Sequence, residues 1–148
     1  LPDAAVTLSA FTDLALSGAS VHERAAVDPI SNADMLRAFA AAYLGGENPC
    51  NPAASPLYGD PAGLPPLLMQ VGAAEMLLDD SVRFARKAES AGVRVVLEIW
   101  PHMFHVWQAF RNYFPEARAA VRRIGAFIRG VEAGGRIQPR AYWPYFED

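Results

Sequence analysis

Residues 63–80 read GLPPLLMQVGAAEMLLDD, and residues 92–107 read GVRVVLEIWPHMFHVW. Each holds an apolar run too short for a helix, 67–71 in the first and 93–100 in the second, with Val93, Val95, Leu97 and Ile99 on one side. Between the runs, Phe84, Ala85 and Ala88 recur at helical spacing. Asp79 or Asp80 can cap that helix through about residue 91, and Gly92 suits its left-handed stop. Strand, helix and strand in this order, with a crossover of this length, imply parallel pairing with right-handed connectivity.

In open parallel sheets, functional groups gather beyond the carboxyl ends of the strands. Glu75 stands four residues past the first run and His105 five past the second, so both loops open on one edge of the sheet. A carboxylate there can hold one imidazole nitrogen, fix the tautomer and leave the other nitrogen as a general base. These would be two thirds of a nucleophile–base–acid triad. The structural alternative makes Glu75 a solvated loop acid and gives His105 a packing role at the start of a short helix, HVWQAF.

Asp79 and Asp80 compete for the acid's part, but a helix N-terminus already gives them structural work, and Glu75 is preferred. His102, after Pro101, is a second candidate base and reads more readily as a solvated loop residue; His22 has no paired acid. No serine lies in G-x-S-x-G, the strand-to-helix turn that exposes a nucleophile. Ser20, in GASVH, lacks the second glycine, and Ser9 ends a strand without a glycine beside it. Cys50, in a proline-bounded loop, is no better, and reads as a small loop side chain. No zinc-ligand spacing or phosphate-binding glycine loop is visible.

Outward from this centre, residues 4–9 (AAVTLS) form a continuous apolar run, expected as a strand buried on both faces. Residues 11–20 read as loop, and residues 21–30 are mixed, ending at Asp28-Pro29. Met35, Leu36, Phe39, Ala42 and Tyr43 fall at helical spacing, with Ser31 or Asn32 as cap and Gly45-Gly46 as stop. Residues 47–66 hold six of the twelve prolines and read as an extended connection without regular structure. A last helix runs from Pro115 to about residue 131, its apolar stripe made of Ala117, Ala120, Val121, Ile124, Phe127, Ile128 and Val131; Gly134-Gly135 ends it. The tail RIQPRAYWPYFED is aromatic and irregular.

The composition is globular: 148 residues, 52% apolar, 20% charged, net charge −3. That balance supplies no basic footprint for nucleic acid or an anionic membrane, and no apolar run approaches the roughly 18 residues of a membrane span. One cysteine excludes an intrachain disulfide and fits a reducing, cytoplasmic setting. Leu1 is not a methionine, the apolar segment begins almost at once, and three parallel strands leave one flank unpaired. The expectation is a C-terminal piece of a longer protein.

Residues 4–14, the Asp28-Pro29 pair, NPAASPLYGDPAGLPPLLMQVGAAEMLLDDS and PHMFHVW together resemble the C-terminal half of a hormone-sensitive-lipase-family carboxylesterase, an α/β-hydrolase. In that family an acid follows the seventh strand in a D-P-L-x-D-E pattern, with the histidine about 30 residues on. Glu75 occupies the first aspartate's place, and His105 follows at that distance. The resemblance implies that residues 1–148 are the C-terminal part of one α/β-hydrolase domain, with parallel strands, flanking helices and, over about 21–66, part of a helical cap and its connection. The serine elbow and oxyanion loop would lie upstream, outside this chain.

It further implies a serine esterase for small or short-acyl esters, needing no cofactor. This chain would supply His105 and Glu75 and would be inactive alone. The implied partners are an ester substrate, the missing N-terminal half, and a second copy through the last strand and helix. Two rival readings are a non-catalytic small-molecule-binding protein on the same fold and an interaction module that uses the aromatic tail.

Overall fold

The computed structural model describes residues 2–134. Three strands, β1 (Ala5–Leu8), β2 (Leu67–Gly72) and β3 (Val95–Trp100), form one parallel sheet in the order β1-β2-β3. Leu8 is opposite Gln70, and Gly72 is opposite Trp100, so the carboxyl ends of all three strands lie on one edge. The helices are α1 (Ser20–Glu23), α2 (Ala33–Leu44), α3 (Leu78–Ser90) and α4 (Pro115–Glu132), with short 3-10 turns at Pro56–Tyr58 and Trp107–Phe110.

Alternation along the strands divides the core between two faces. Leu67, Met69, Val71, Val95, Leu97 and Ile99 pack with Leu78, Val82, Ala85 and Ala88 of α3. Leu68 and Val96 point the other way, to Phe127, Ile124 and Val131 of α4. Every residue of β2 is therefore buried, and its run reads as continuously apolar except at Gln70. That side chain is satisfied: Nε2 donates to Glu98 Oε2 (3.0 Å) and to the Ala120 carbonyl (3.1 Å), and Oε1 accepts from Gln108 (3.0 Å).

Several expectations change. The four residues of β1 are half-buried rather than covered on both faces, because among the described residues β1 pairs with β2 alone. Asn32, not Ser31, caps α2 by accepting from the Met35 amide (2.9 Å), and Gly45 ends it at φ 57°. The apolar stripe of α2 is not its buried face: Leu36 and Ala40 are inside, while Phe39 and Tyr43 are 60% and 72% exposed. In α4, Ala117, Ala120 and Phe127 are buried, whereas Val121 and Ile128 are exposed by more than a third.

The segment 47–66 is irregular apart from its 3-10 turn, which buries Leu57. Neither Asp79 nor Asp80 caps α3. Leu77 stands at that position without a side-chain bond, and both aspartates lie in the first turn with their carboxylates committed to other segments. Gly92 adopts the expected left-handed conformation, φ 82°. The tail reading falls on residues outside the described ones. Among the described residues, no helix is long and apolar enough to cross a membrane.

Candidate active site

Beyond the carboxyl ends of the strands, three side chains from three successive connections meet. Ser9 follows β1, Glu75 follows β2 and His105 follows β3. Glu75 is fully buried, and its oxygens are divided between two tasks. Oε1 accepts from the Gly72 amide (2.7 Å) and from Ser9 Oγ (2.9 Å), while Oε2 lies 3.0 Å from His105 Nδ1. A buried carboxylate is costly unless donors surround it, and here three converge on it. Where the carboxylate is ionised it can only accept, so Nδ1 is the donor in this contact, and in the neutral imidazole Nε2 then keeps the lone pair. Nε2 makes no hydrogen bond among the described residues, and the ring is 26% exposed.

Local backbone chemistry brings the two loops this close. The Ala73 amide donates to the Trp100 carbonyl (2.9 Å) and the Ala74 amide to the Met103 carbonyl (3.0 Å), lacing the acid turn to the histidine loop. Gly72 is required for that approach, since a Cβ at this position would overlap the Met103 carbonyl. On the histidine side, Val106 sits at φ 50°, ψ 39°, a conformation that β-branched residues rarely adopt. Such strain costs about 1–3 kcal/mol and persists only where the surroundings impose it.

Here they do. The Val106 amide donates to Ser9 Oγ (3.0 Å), and the adjacent Trp107 is fully buried against Ala117 and Ala120, with its ring 5.8 Å from that of Trp100. Phe104, Phe110 and Phe114 stack edge-to-face around the same loop.

The competing acids are engaged elsewhere. Asp79 Oδ2 accepts from the Ser20 amide (3.0 Å), and Ser20 Oγ accepts from the Asp79 amide (3.0 Å), a reciprocal pair that pins residue 20 to α3. Asp80 Oδ2 accepts from the Thr12 and Asp13 amides (2.7 and 2.8 Å). Burial outweighs these donors and pushes the Asp80 carboxyl up to about 7. Asp13 beside it behaves oppositely. Burial works to raise it, but hydrogen bonds from Ser17, Tyr58 and Ala15 prevail and hold it below the usual aspartate value.

His102, His22, Cys50 and Ser20 make no hydrogen bond to the pair. His102 is exposed at φ 60° and His22 is exposed on α1; Cys50 is an exposed free thiol. Ser20 Oγ is buried and donates to the Met76 carbonyl (2.7 Å). Among the described residues, no group of three His, Cys, Asp or Glu could hold a metal ion.

Two contributors escaped the sequence reading. The sequence offers Ser9 only as a nucleophile, yet its hydroxyl joins the acid to the histidine loop; its place at a strand end on the same edge is the available signal. In the sequence Asp28 stands out only beside Pro29, as a pair that disfavours helix and as part of the family resemblance. Its Oδ1 accepts from the Ile30 and Ser31 amides, while Oδ2 accepts from Met76, the residue after the acid (3.0 Å). An acid before a proline signals a turn, and nothing local signals the long-range bond.

A parallel sheet with helices on both faces and an acid–histidine pair beyond its strand ends defines the class, an α/β-hydrolase. Comparison with known proteins agrees: residues 1–109 match the family model described as alpha/beta hydrolase fold, and the chain belongs to that family. An acetyl-hydrolase of Streptomyces hygroscopicus is 45% identical over 135 residues, covering 91% of this chain and 45% of that protein. Crystalline EstE5, soaked in ethyl alcohol, superposes with a TM-score of 0.88 at 41% identity, over 90% of this chain and 45% of that one.

An esterase of the bacterial hormone-sensitive lipase family superposes at 0.85 with 49% identity, over 87% and 43% of the two chains. The resemblance to that family read from the sequence therefore stands. The chain spans about half the length of the relatives it matches.

Proposed function

We propose that the full-length protein is a serine-type carboxylic ester hydrolase for small or short-acyl esters, with His105 as general base and Glu75 as its orienting acid. The observation that carries this reading is the 3.0 Å contact between His105 Nδ1 and a fully buried Glu75 carboxylate, at the ends of neighbouring parallel strands. The relatives named esterase and acetyl-hydrolase support the chemical class. The nucleophilic serine and the oxyanion donors belong to the part of the protein outside this chain, so these 148 residues alone are inactive. Residues 21–66 contribute the later part of a cap over the substrate.

In this mechanism the serine hydroxyl attacks the ester carbonyl while His105 Nε2 accepts its proton. Glu75 holds the ring and stabilises the imidazolium that forms. As the tetrahedral intermediate collapses, the C–O bond to the alcohol breaks, and the imidazolium returns the proton to that oxygen. Water then attacks the acyl-enzyme by the same route and releases the acid, freeing the serine.

The test is hydrolysis of p-nitrophenyl butyrate by the full-length protein and by His105→Ala, with far-ultraviolet circular dichroism as the folding check. The variant is expected to fold and to lose on the order of 10³-fold or more in kcat. Near-normal turnover by the folded variant would sink the assignment. A wild-type protein that binds esters without hydrolysing them would move the reading to a small-molecule receptor.

A further inference from the structure

We propose that Ser9 is a positioning residue, one hydroxyl that fixes the acid and the histidine loop relative to each other. The inference rests on the reading of Glu75 and His105 as an acid–base pair. Ser9 is 3% exposed, and its Oγ has two partners from different connections. It donates to Glu75 Oε1 at 2.9 Å and accepts from the Val106 amide at 3.0 Å. A hydroxyl has one proton to give, and an amide can only donate, so the polarity of this relay is fixed: Val106 N–H to Ser9 Oγ, then Ser9 O–H to Glu75.

Two consequences follow. Oε1, occupied by Ser9 and by the Gly72 amide, leaves Oε2 as the oxygen that faces the imidazole. The carboxylate is therefore held at both ends rather than free to rotate about its terminal bond. On the other side, the residue immediately after His105 is tethered in the strained φ 50° conformation, which sets the direction from which the ring leaves the backbone. Ser9 itself stands at φ 49°, with its amide still in the ladder, donating to the Gln70 carbonyl at 2.8 Å. A non-glycine residue held left-handed at the end of a strand signals a constraint beyond local preference. Here that turn accompanies placement of the hydroxyl between the acid and the histidine loop.

Removing the oxygen leaves Glu75 Oε1 short of one donor and the Val106 amide without a partner, both inside the protein. Ser9 is separated from the free nitrogen of the histidine by the acid itself, so the loss should fall on turnover rather than on substrate affinity. Misplacement by about 1 Å can cost on the order of 10²-fold in rate.

The experiment compares Ser9→Ala, Ser9→Gly and Ser9→Thr with His105→Ala in the full-length protein. The readouts are kcat and KM for p-nitrophenyl butyrate, thermal melting, and the downfield proton resonance of the His105 Nδ1–H. Alanine and glycine should each lower kcat by about 10- to 100-fold with KM within about twofold, and should shift or broaden that resonance. Threonine keeps the hydroxyl but adds a β-branch at φ 49°, so it should melt lower than the wild type while its folded fraction turns over faster than alanine or glycine.

A purely structural role of the turn predicts a different order. Glycine, which relaxes a positive φ, would then be the best variant and the imidazole resonance would not move; that result overturns the inference. If alanine fails to fold, the ranking of glycine against threonine decides by the same rule. Normal turnover in all three Ser9 variants, with His105→Ala inactive, sinks the role of Ser9 and leaves the pair intact. An active His105→Ala sinks the underlying reading instead.

Discussion

The connections after β2 and after β3 carry the acid and the histidine, and they are held in place by opposite means. The acid turn is held by carboxylates. Asp28 reaches the amide of Met76, Asp79 pairs with Ser20, and Asp80 binds the amides of Thr12 and Asp13. The histidine loop is held by rings, with Trp107 buried in the cluster of Trp100, Phe104 and Phe114. Polar anchors act through direction and depend on protonation; apolar anchors act through shape and do not. Each kind suits its cargo, since Glu75 is itself stationary and buried while the ring of His105 must stay partly open.

Four substitutions break or sharpen that contrast. The largest effect is expected at the junction of the two loops: Glu75→Gln keeps the volume but removes the charge and lowers kcat by on the order of 10⁴-fold, read with p-nitrophenyl butyrate. Next comes the ring side. Trp107→Ala should cost about 3–5 kcal/mol, measured by urea unfolding of the full-length protein, and this loss should be nearly independent of pH.

The carboxylate side should answer to pH instead. Unfolded, Asp80 ionises near 3.8; folded, it keeps its proton up to about 7. Between these values the folded state binds the extra proton, so this group stabilises the fold at low pH and loses that contribution as pH rises from about 4 to about 7. Neighbouring Asp13, whose value is lowered, has the opposite sign, and its contribution is lost only as pH falls below about 4. Asp80→Asn should therefore flatten the fall of melting temperature over that window, and an unchanged slope would move its origin to another group. The smallest effect is expected for Asp79→Asn: about 1 kcal/mol of stability and less than tenfold in kcat. A larger loss of kcat there than in Glu75→Gln would transfer the acid's role to Asp79.

The same contrast explains what the sequence made legible. Strands β2 and β3 and helix α3 were readable because alternation and helical spacing are local patterns, and strand ends then pointed to Glu75 and His105. The helical spacing of α2 is legible but its buried face is not, because Phe39 and Tyr43 are apolar by type, whereas which face is covered depends on the segments packed beside it. Asp79 or Asp80 reads as a cap because an acid at a helix start usually is one. Their actual partners, Ser20, Thr12 and Asp13, are some sixty residues away along the chain. Ser9 stayed hidden for the same reason: a bond from residue 9 to residues 75 and 106 leaves no trace in spacing.

The single carboxylate of Asp28 acts as a ruler. One oxygen grips the amides of residues 30 and 31, two residues ahead of α2, and the other grips the residue beside the acid. The distance from Glu75 to the start of α2 is thus set by one side chain rather than by the lengths of the intervening loops. Insertions in the proline-rich segment beyond Gly46 can then vary what α2 leads into, while the entry of that helix stays in fixed registry with the acid.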